Sequence, residues 1–142
     1  MSPSFVIDAS VIVSWYIPGE QSDYAEGILF CLNTERAITP CLCYLEVNNA
    51  LRVLERKGKA LMLSVDKAVL AADKLHIIRD GAPNSFSLPL VLRLSREYGL
   101  TIYDACYLEL AVRLNLPIAT LDNDLIKATE AAGIKRKTVK TL

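Results

Sequence analysis

The chain has 142 residues, 52% of them hydrophobic, with 16 basic and 16 acidic side chains and a formal net charge of zero. Its mass of 15.7 kDa and mean hydropathy of +0.29 exclude a disordered chain and fit a buried sheet flanked by helices. Zero net charge argues against a simple basic nucleic-acid binder, and no apolar run approaches the roughly 18 residues that span a bilayer.

The N-terminus lacks a basic segment followed by a signal-type apolar core, so a cytoplasmic protein with no membrane partner is expected. From Ser4 to Val13 the chain opens on an apolar run interrupted by Asp8. It reads as a buried strand that delivers Asp8 to the edge of a sheet, where open α/β folds bind ligands. Val11 to Tyr16 continues as a short helical segment stopping at Pro18-Gly19, and Ser22 or Asp23 caps a helix through Leu32. Ala37-Ile38-Thr39 is a short strand closed by Pro40, and a long helix runs from Leu42 to Lys57, ended by Gly58. At helical spacing Leu42, Cys43, Ala50 and Val53 form its apolar side, opposite Arg52, Glu55 and Arg56. Glu46 projects into the middle of that apolar side. A lone buried carboxylate must be paired, hydrogen-bonded, protonated or bound to a cation, and an ordinary salt bridge stands level with a functional role.

Ser64 to Leu75 is a further helix, followed by a strand at His76 to Arg79 that begins with the only histidine. Asp80 to Phe86 is a loop, and Ser87 to Tyr98 a helix with Pro89 in its first turn and Gly99 as its stop. Thr101 opens the next helix, to Leu114. Thr101 and Asp104 have the spacing of a capping box, though that motif favours Glu or Gln at the second position. Asp104 nonetheless lies in line with Tyr107, Leu108 and Ala111 on the apolar face, opposite Glu109 and Arg113. Pro117 to Thr120 is a short strand, and Asp122 follows it as Asp8 follows the first, with a helix N-cap as its ordinary alternative role. A helix from Leu125 to Ala132 and an edge strand over Ile134 to Val139 complete a single domain spanning residues 1–142. Of the cysteines, Cys31, Cys41, Cys43 and Cys106, the Cys41-x-Cys43 pair has neither a second pair nor a nearby His, so buried thiols are favoured over zinc.

Four acids therefore stand out, Asp8 and Asp122 after strands and Glu46 and Asp104 on inward helix faces. Carboxylates brought within a few ångströms repel one another and do not all ionise cheaply, a conflict that a divalent cation resolves. Oxygen ligands select Mg²⁺ or Mn²⁺ over zinc. An ion held by few protein ligands keeps waters and accepts phosphate oxygens, which suits phosphodiester hydrolysis without a histidine base. Ser10 and Thr120, each two residues from an acid, bond either to carboxylate oxygens and metal waters or within local turns. Two basic clusters, Arg52, Arg56, Lys57 and Lys59, then Lys135, Arg136, Lys137 and Lys140, are solvated surface or phosphate contacts.

The segments Val6-Ile7-Asp8-Ala9-Ser10, Glu46-Val47-Asn48-Asn49-Ala50-Leu51, Thr101-Ile102-Tyr103-Asp104-Ala105-Cys106-Tyr107-Leu108 and Ala119-Thr120-Leu121-Asp122 resemble the motif blocks of PIN domains, particularly VapC-type toxins of toxin–antitoxin pairs. The similarity runs from the first strand to the final helix. It implies an α/β fold, a single PIN-like domain with a central parallel β-sheet flanked by α-helices, and an Mg²⁺- or Mn²⁺-dependent endoribonuclease acting on RNA. It implies that Asp8, Glu46, Asp104 and Asp122 are the catalytic, metal-binding acids, with Ser10 and Thr120 supporting them, Asn49 orienting a carboxylate and Asp124 close by. A homodimer and a cognate VapB-like antitoxin covering the groove belong to the same implication, and Arg52, Arg56 and Lys59 become candidates for contact with RNA phosphates. The rivals are a catalytically silent PIN-like module that binds RNA or protein, and an Asp-nucleophile phosphatase of the haloacid-dehalogenase type, whose motif wants a second Asp where this chain has Ser10.

Overall fold

Phe5, Val6 and Ile7 have no exposed surface at all, which marks the first strand as one covered on both faces, the situation of a parallel sheet between helices. In a computed structural model, which describes residues 2–17, 19 and 22–140, this strand, β1 (Phe5–Ile7), lies inside a four-stranded parallel sheet. The others are β2 (Ala37–Pro40), β3 (Ile77–Asp80) and β4 (Ile118–Ala119), in the order β3-β2-β1-β4. Phe5 is in register with Ala37, Ile7 with Ala119, and Pro40 with Asp80. The chain steps outward from β1 through β2 to β3, then returns to the other side of β1 as β4. The switch point is therefore the crevice beyond the carboxyl ends of β1 and β4, the place where such sheets bind ligands.

The helices are α1 (Ala9–Tyr16), α2 (Asp23–Cys31), α3 (Cys43–Arg56), α4 (Met62–Asp73), α5 (Leu88–Tyr98), α6 (Ile102–Leu114) and α7 (Asn123–Ala131). Ser22 caps α2, as expected, by accepting from the Ala25 amide, and Gly99 closes α5 in the left-handed conformation at φ 66°. Pro18, half of the expected turn after α1, lies outside the described residues. Among the described residues no helix is long and apolar enough to cross a membrane.

Three local expectations are corrected. The buried stripe of α3 is Cys43, Val47 and Leu51, with Leu42, Ala50 and Val53 only partly covered. The helix packs against both α1 and α4, so its apolar side is set by two neighbours, and Glu46 stands at the border of that side and not in its middle. In α6 every residue from Ala105 to Ala111 is buried, Glu109 included, because this helix lies against β1, β2 and β4 on one side and under α5 on the other. Glu109 tolerates that burial through Arg113, whose Nε donates to it at 2.8 Å while Nη2 reaches Asp80 at 2.6 Å. Finally, Ile134 to Val139 is no strand. It makes one bridge, Ile118 with Arg136, in which Ile118 N donates to Lys135 O at 3.0 Å and Lys137 N to Ile118 O at 2.7 Å. A two-residue β4 offers nothing longer to pair with.

Candidate active site

Asp8 follows β1 directly and precedes α1, in extended backbone conformation, yet its side chain does not cap that helix. Its carboxylate points its hydrogen-bonding capacity elsewhere. Ser10 Oγ donates to Oδ2 at 2.6 Å and Thr120 Oγ1 donates to the same oxygen at 2.8 Å. Each hydroxyl in turn accepts from the turn after β4, Ser10 Oγ from the Leu121 amide and Thr120 Oγ1 from the Asp122 amide, both at 3.0 Å. A hydroxyl that accepts from an amide has one proton left to give, and both give it to Asp8. Carboxylate bonding and turn bonding, the two alternatives for Ser10 and Thr120, are thus both realised. Asp8 is only 4% exposed. Burial pushes its carboxyl above the usual range, the Ser10 and Thr120 hydroxyls pull it back, and the nearby Asp122 charge raises it again.

Glu46 approaches from α3, half-buried, and accepts from the hydroxyl of Tyr107 on α6 at 2.6 Å. No ion pair of Glu46 is present among the described residues, so a neutral phenol takes the place of the buried cation that an ordinary salt bridge would supply. Burial raises its carboxyl, the Tyr107 bond lowers it, and Asp8 and Asp104 raise it further. Asp104 sits in the first turn of α6. Its amide donates to the Thr101 hydroxyl at 3.1 Å, which is the N-cap expected from that spacing. Its own carboxyl is pushed up to about 6, first by burial, then by the charges of Asp8 and Asp122. Asp122 does cap α7, Oδ1 accepting from the Leu125 amide at 2.9 Å, and Asp124 lies in the same first turn, exposed, close enough to add to the repulsion on Asp104.

The acids thus share one electrostatic field at the sheet's switch point, and among the described residues none of Asp8, Glu46, Asp104 and Asp122 has a basic side chain paired with it. Oxygen donors under mutual repulsion suit a hard divalent cation. Among the described residues no three His, Cys, Asp or Glu side chains converge closely enough to hold a metal ion together. The fit is to an ion held by one or two carboxylates that keeps much of its water, the habit of Mg²⁺. A groove of about 400 Å³ borders Glu46 and is lined also by Ala9, Ser10, Val13, Ser14, Ala50 and Leu121. Asn49, Arg52, Arg56 and Lys59 are exposed. Among the described residues no hydrogen bond joins Asn49 to a carboxylate, and Arg52 pairs with Glu55 along its own helix.

Tyr107 is the participant that sequence reasoning places only as apolar packing. A buried phenol requires a partner for its hydroxyl, and an acid on a neighbouring apolar face is the natural one, so the signal lay in the coincidence of two orphan groups.

Residues 5–131 match the family model of the PIN domain. The chain belongs to the PIN domain family. This PIN domain is similar to ribonuclease VapC3 of Pyrobaculum aerophilum, with 31% identity over 129 residues that cover 84% of this chain and 90% of that protein. Among solved structures it resembles VapC20 of Mycobacterium tuberculosis, described as a toxin that cleaves the sarcin–ricin loop, with TM-score 0.66, 12% identity and coverage of 94% of this chain and 98% of that one. It also resembles VapBC2 of Rickettsia felis bound to a DNA fragment from its promoter, with TM-score 0.64, 14% identity and coverage of 94% and 96%. The parallel α/β fold implied by the motif blocks is thereby the fold of the family, and the four blocks all fall within the matched span.

Proposed function

We propose that this PIN domain is an Mg²⁺- or Mn²⁺-dependent endoribonuclease that hydrolyses RNA phosphodiester bonds, the toxin of a toxin–antitoxin pair, folded as a single domain over residues 1–142. The observation that carries the reading is the buried Asp8, held by two hydroxyls and sharing the charges of Glu46, Asp104 and Asp122, with no opposing cation among the described residues. The ribonuclease named among its relatives supports the reaction. The VapBC2 structure among its structural neighbours supports a VapB-like antitoxin as partner. A homodimer and a cytoplasmic location belong to the same reading.

Of Asp8, Glu46, Asp104 and Asp122, one or two would hold the ion directly and the others would act through its waters. A bound Mg²⁺ or Mn²⁺ supplies a water of lowered pKa and neutralises charge building on phosphorus. The chain's own contribution is positioning: Ser10 and Thr120 fix Asp8, Tyr107 fixes Glu46, and the first turns of α6 and α7 carry Asp104 and Asp122 to the crevice. Arg52, Arg56 and Lys59 are the proposed contacts for RNA phosphates beside it, and Asn49 and Asp124 the proposed supporting groups at its rim.

Total RNA incubated with purified protein and Mn²⁺, with cleavage ends mapped, tests the reaction and finds the target. Cleavage by the wild type and none by Asp104→Asn is expected, and undiminished cleavage by that variant sinks the proposal. A silent module that binds without cutting is separated by melting. A true site gains about 2.7 kcal/mol when the ion stands at 100 times its dissociation constant, whereas a silent scaffold does not shift.

A further inference from the structure

In the second basic cluster Lys135 and Lys140 are exposed, but Arg136 and Lys137 are not solvated surface. Lys137 pairs with Glu35 at 3.0 Å, and Arg136 turns towards the acidic site. Its Nε and Nη2 both donate to the Thr120 carbonyl, at 3.1 and 2.8 Å, and its guanidinium lies over the Tyr24 ring with 3.8 Å to the centroid. Tyr24 is itself fixed, its hydroxyl donating to Lys137 O at 2.7 Å. The cation is thus held face and edge, by a ring from α2 and a carbonyl from the end of β4.

Thr120 is the residue where this matters. It is fully buried and follows a two-residue strand that pairs with β1 on one side and, on the other, meets the 135–137 segment in a single bridge at Ile118. Its hydroxyl donates to Asp8 and accepts from the Asp122 amide. A rotation of the Thr120 peptide would therefore disturb two acids together. We infer that Arg136 is a positioning residue for the acidic site, clamping the Thr120 carbonyl against Tyr24 so that the Thr120 hydroxyl stays on Asp8 and the Leu121–Asp122 turn stays on the two hydroxyls. Lysine cannot replace it, since an ammonium lacks the planar fork that places two donors on one oxygen while stacking on a ring. The inference leans on the proposed nuclease reading for its metal and RNA consequences, but the clamp itself is a property of the folded chain.

The test uses the full chain as Arg136→Ala and Arg136→Lys. Native-state hydrogen exchange reads the Leu121 and Asp122 amides, which bond to the Ser10 and Thr120 hydroxyls. Both amides are expected to exchange faster in the Ala variant, with the Lys variant failing to restore them and the α3 amides unchanged. Mn²⁺ affinity by calorimetry is expected to fall about 10-fold, the scale of losses seen when groups behind a metal ligand are removed, with kcat on RNA falling and KM holding. Unchanged exchange at Leu121 and Asp122 overturns the inference. So does acceleration spread equally over α3, which would mark a merely structural residue, or a raised KM with kcat intact, which would mark a phosphate contact. Should Arg136→Ala fail to fold, Arg136→Lys carries the same comparison. If the wild type neither takes up Mn²⁺ nor cuts RNA, the nuclease reading falls, while the exchange measurement still decides the clamp.

Discussion

Replacing Tyr107 by Phe removes one oxygen from a side chain with no exposed surface and with it the 2.6 Å bond to Glu46. The ring stays, so packing is kept. A hydrogen bond to an ionised group contributes about 1.5–3 kcal/mol. Glu46 is only half-buried, so water takes up part of the vacated capacity, and a loss of about 1 kcal/mol is expected. For a domain of this length that corresponds to a fall of about 4 °C in Tm. Urea unfolding should show a lower midpoint at unchanged slope. The loss also has a pH signature. The Tyr107 bond is what lowers the Glu46 carboxyl against burial and the charges of Asp8 and Asp104. It therefore favours the ionised form, and the deficit should be larger at pH 7 than at pH 4, which lies below even the ordinary Glu46 value of 4.5. Adding Mn²⁺ should recover less stability than in the wild type. An equal deficit at both pH values would refute the claim that the phenol acts on an ionised Glu46.

In the metal-free protein the Asp104 carboxyl sits at about 6, above its ordinary 3.8. The stability it contributes is present below the unfolded value and lost as pH rises through about 6, so wild-type melting should fall between pH 4 and pH 7, and Asp104→Asn should flatten that fall. A steeper fall in the variant would count against the assignment. Arg113→Ala strands the buried Glu109, which is 3% exposed, and should cost about 3 kcal/mol by urea unfolding, with Glu109→Gln milder. Gly27→Ala places a Cβ 2.9 Å from Val139 Cβ. Its helix-propensity gain of about 1 kcal/mol is outweighed by overpacking of about 1–3 kcal/mol, and limited proteolysis should find residues 135–140 loosened, whereas a raised Tm with an intact tail would show the contact to be soft.

The candidate acids were legible because their signals are local. An acid directly after an apolar run marks a strand end, as at Asp8 and Asp122, and an acid in phase with apolar residues marks an inward face, as at Asp104. Thr101 announced its own cap. The burial of Glu109 was not legible, because a helix covered by a sheet and another helix carries no polar face to read, and its charge is neutralised by a residue four positions on that amphipathicity assigns to solvent. Glu46 was placed on the right helix but too deep, since Leu42, Ala50 and Val53 mimic a core stripe that the second neighbour, α4, shifts to Cys43, Val47 and Leu51. Its partner lies 61 residues away, and no pattern within one helix reports that distance. Arg136 was unreadable for the same reason: a basic run looks like solvent-facing charge until the fold shows a carbonyl and a ring in reach.

Asp8 is made early and completed late. Its Thr120 donor lies 112 residues further along the chain, and at 5–20 residues per second that interval lasts roughly 6–22 s of synthesis. Until then β1 lacks the neighbour that makes it an interior strand, and the first carboxylate has neither the Thr120 hydroxyl nor Asp104 and Asp122 beside it. A nascent chain emerges from a ribosome surrounded by RNA. For the proposed ribonuclease, drawing its acids from both ends of the polypeptide means that no incomplete translation product is armed, a safeguard that comes from strand order alone.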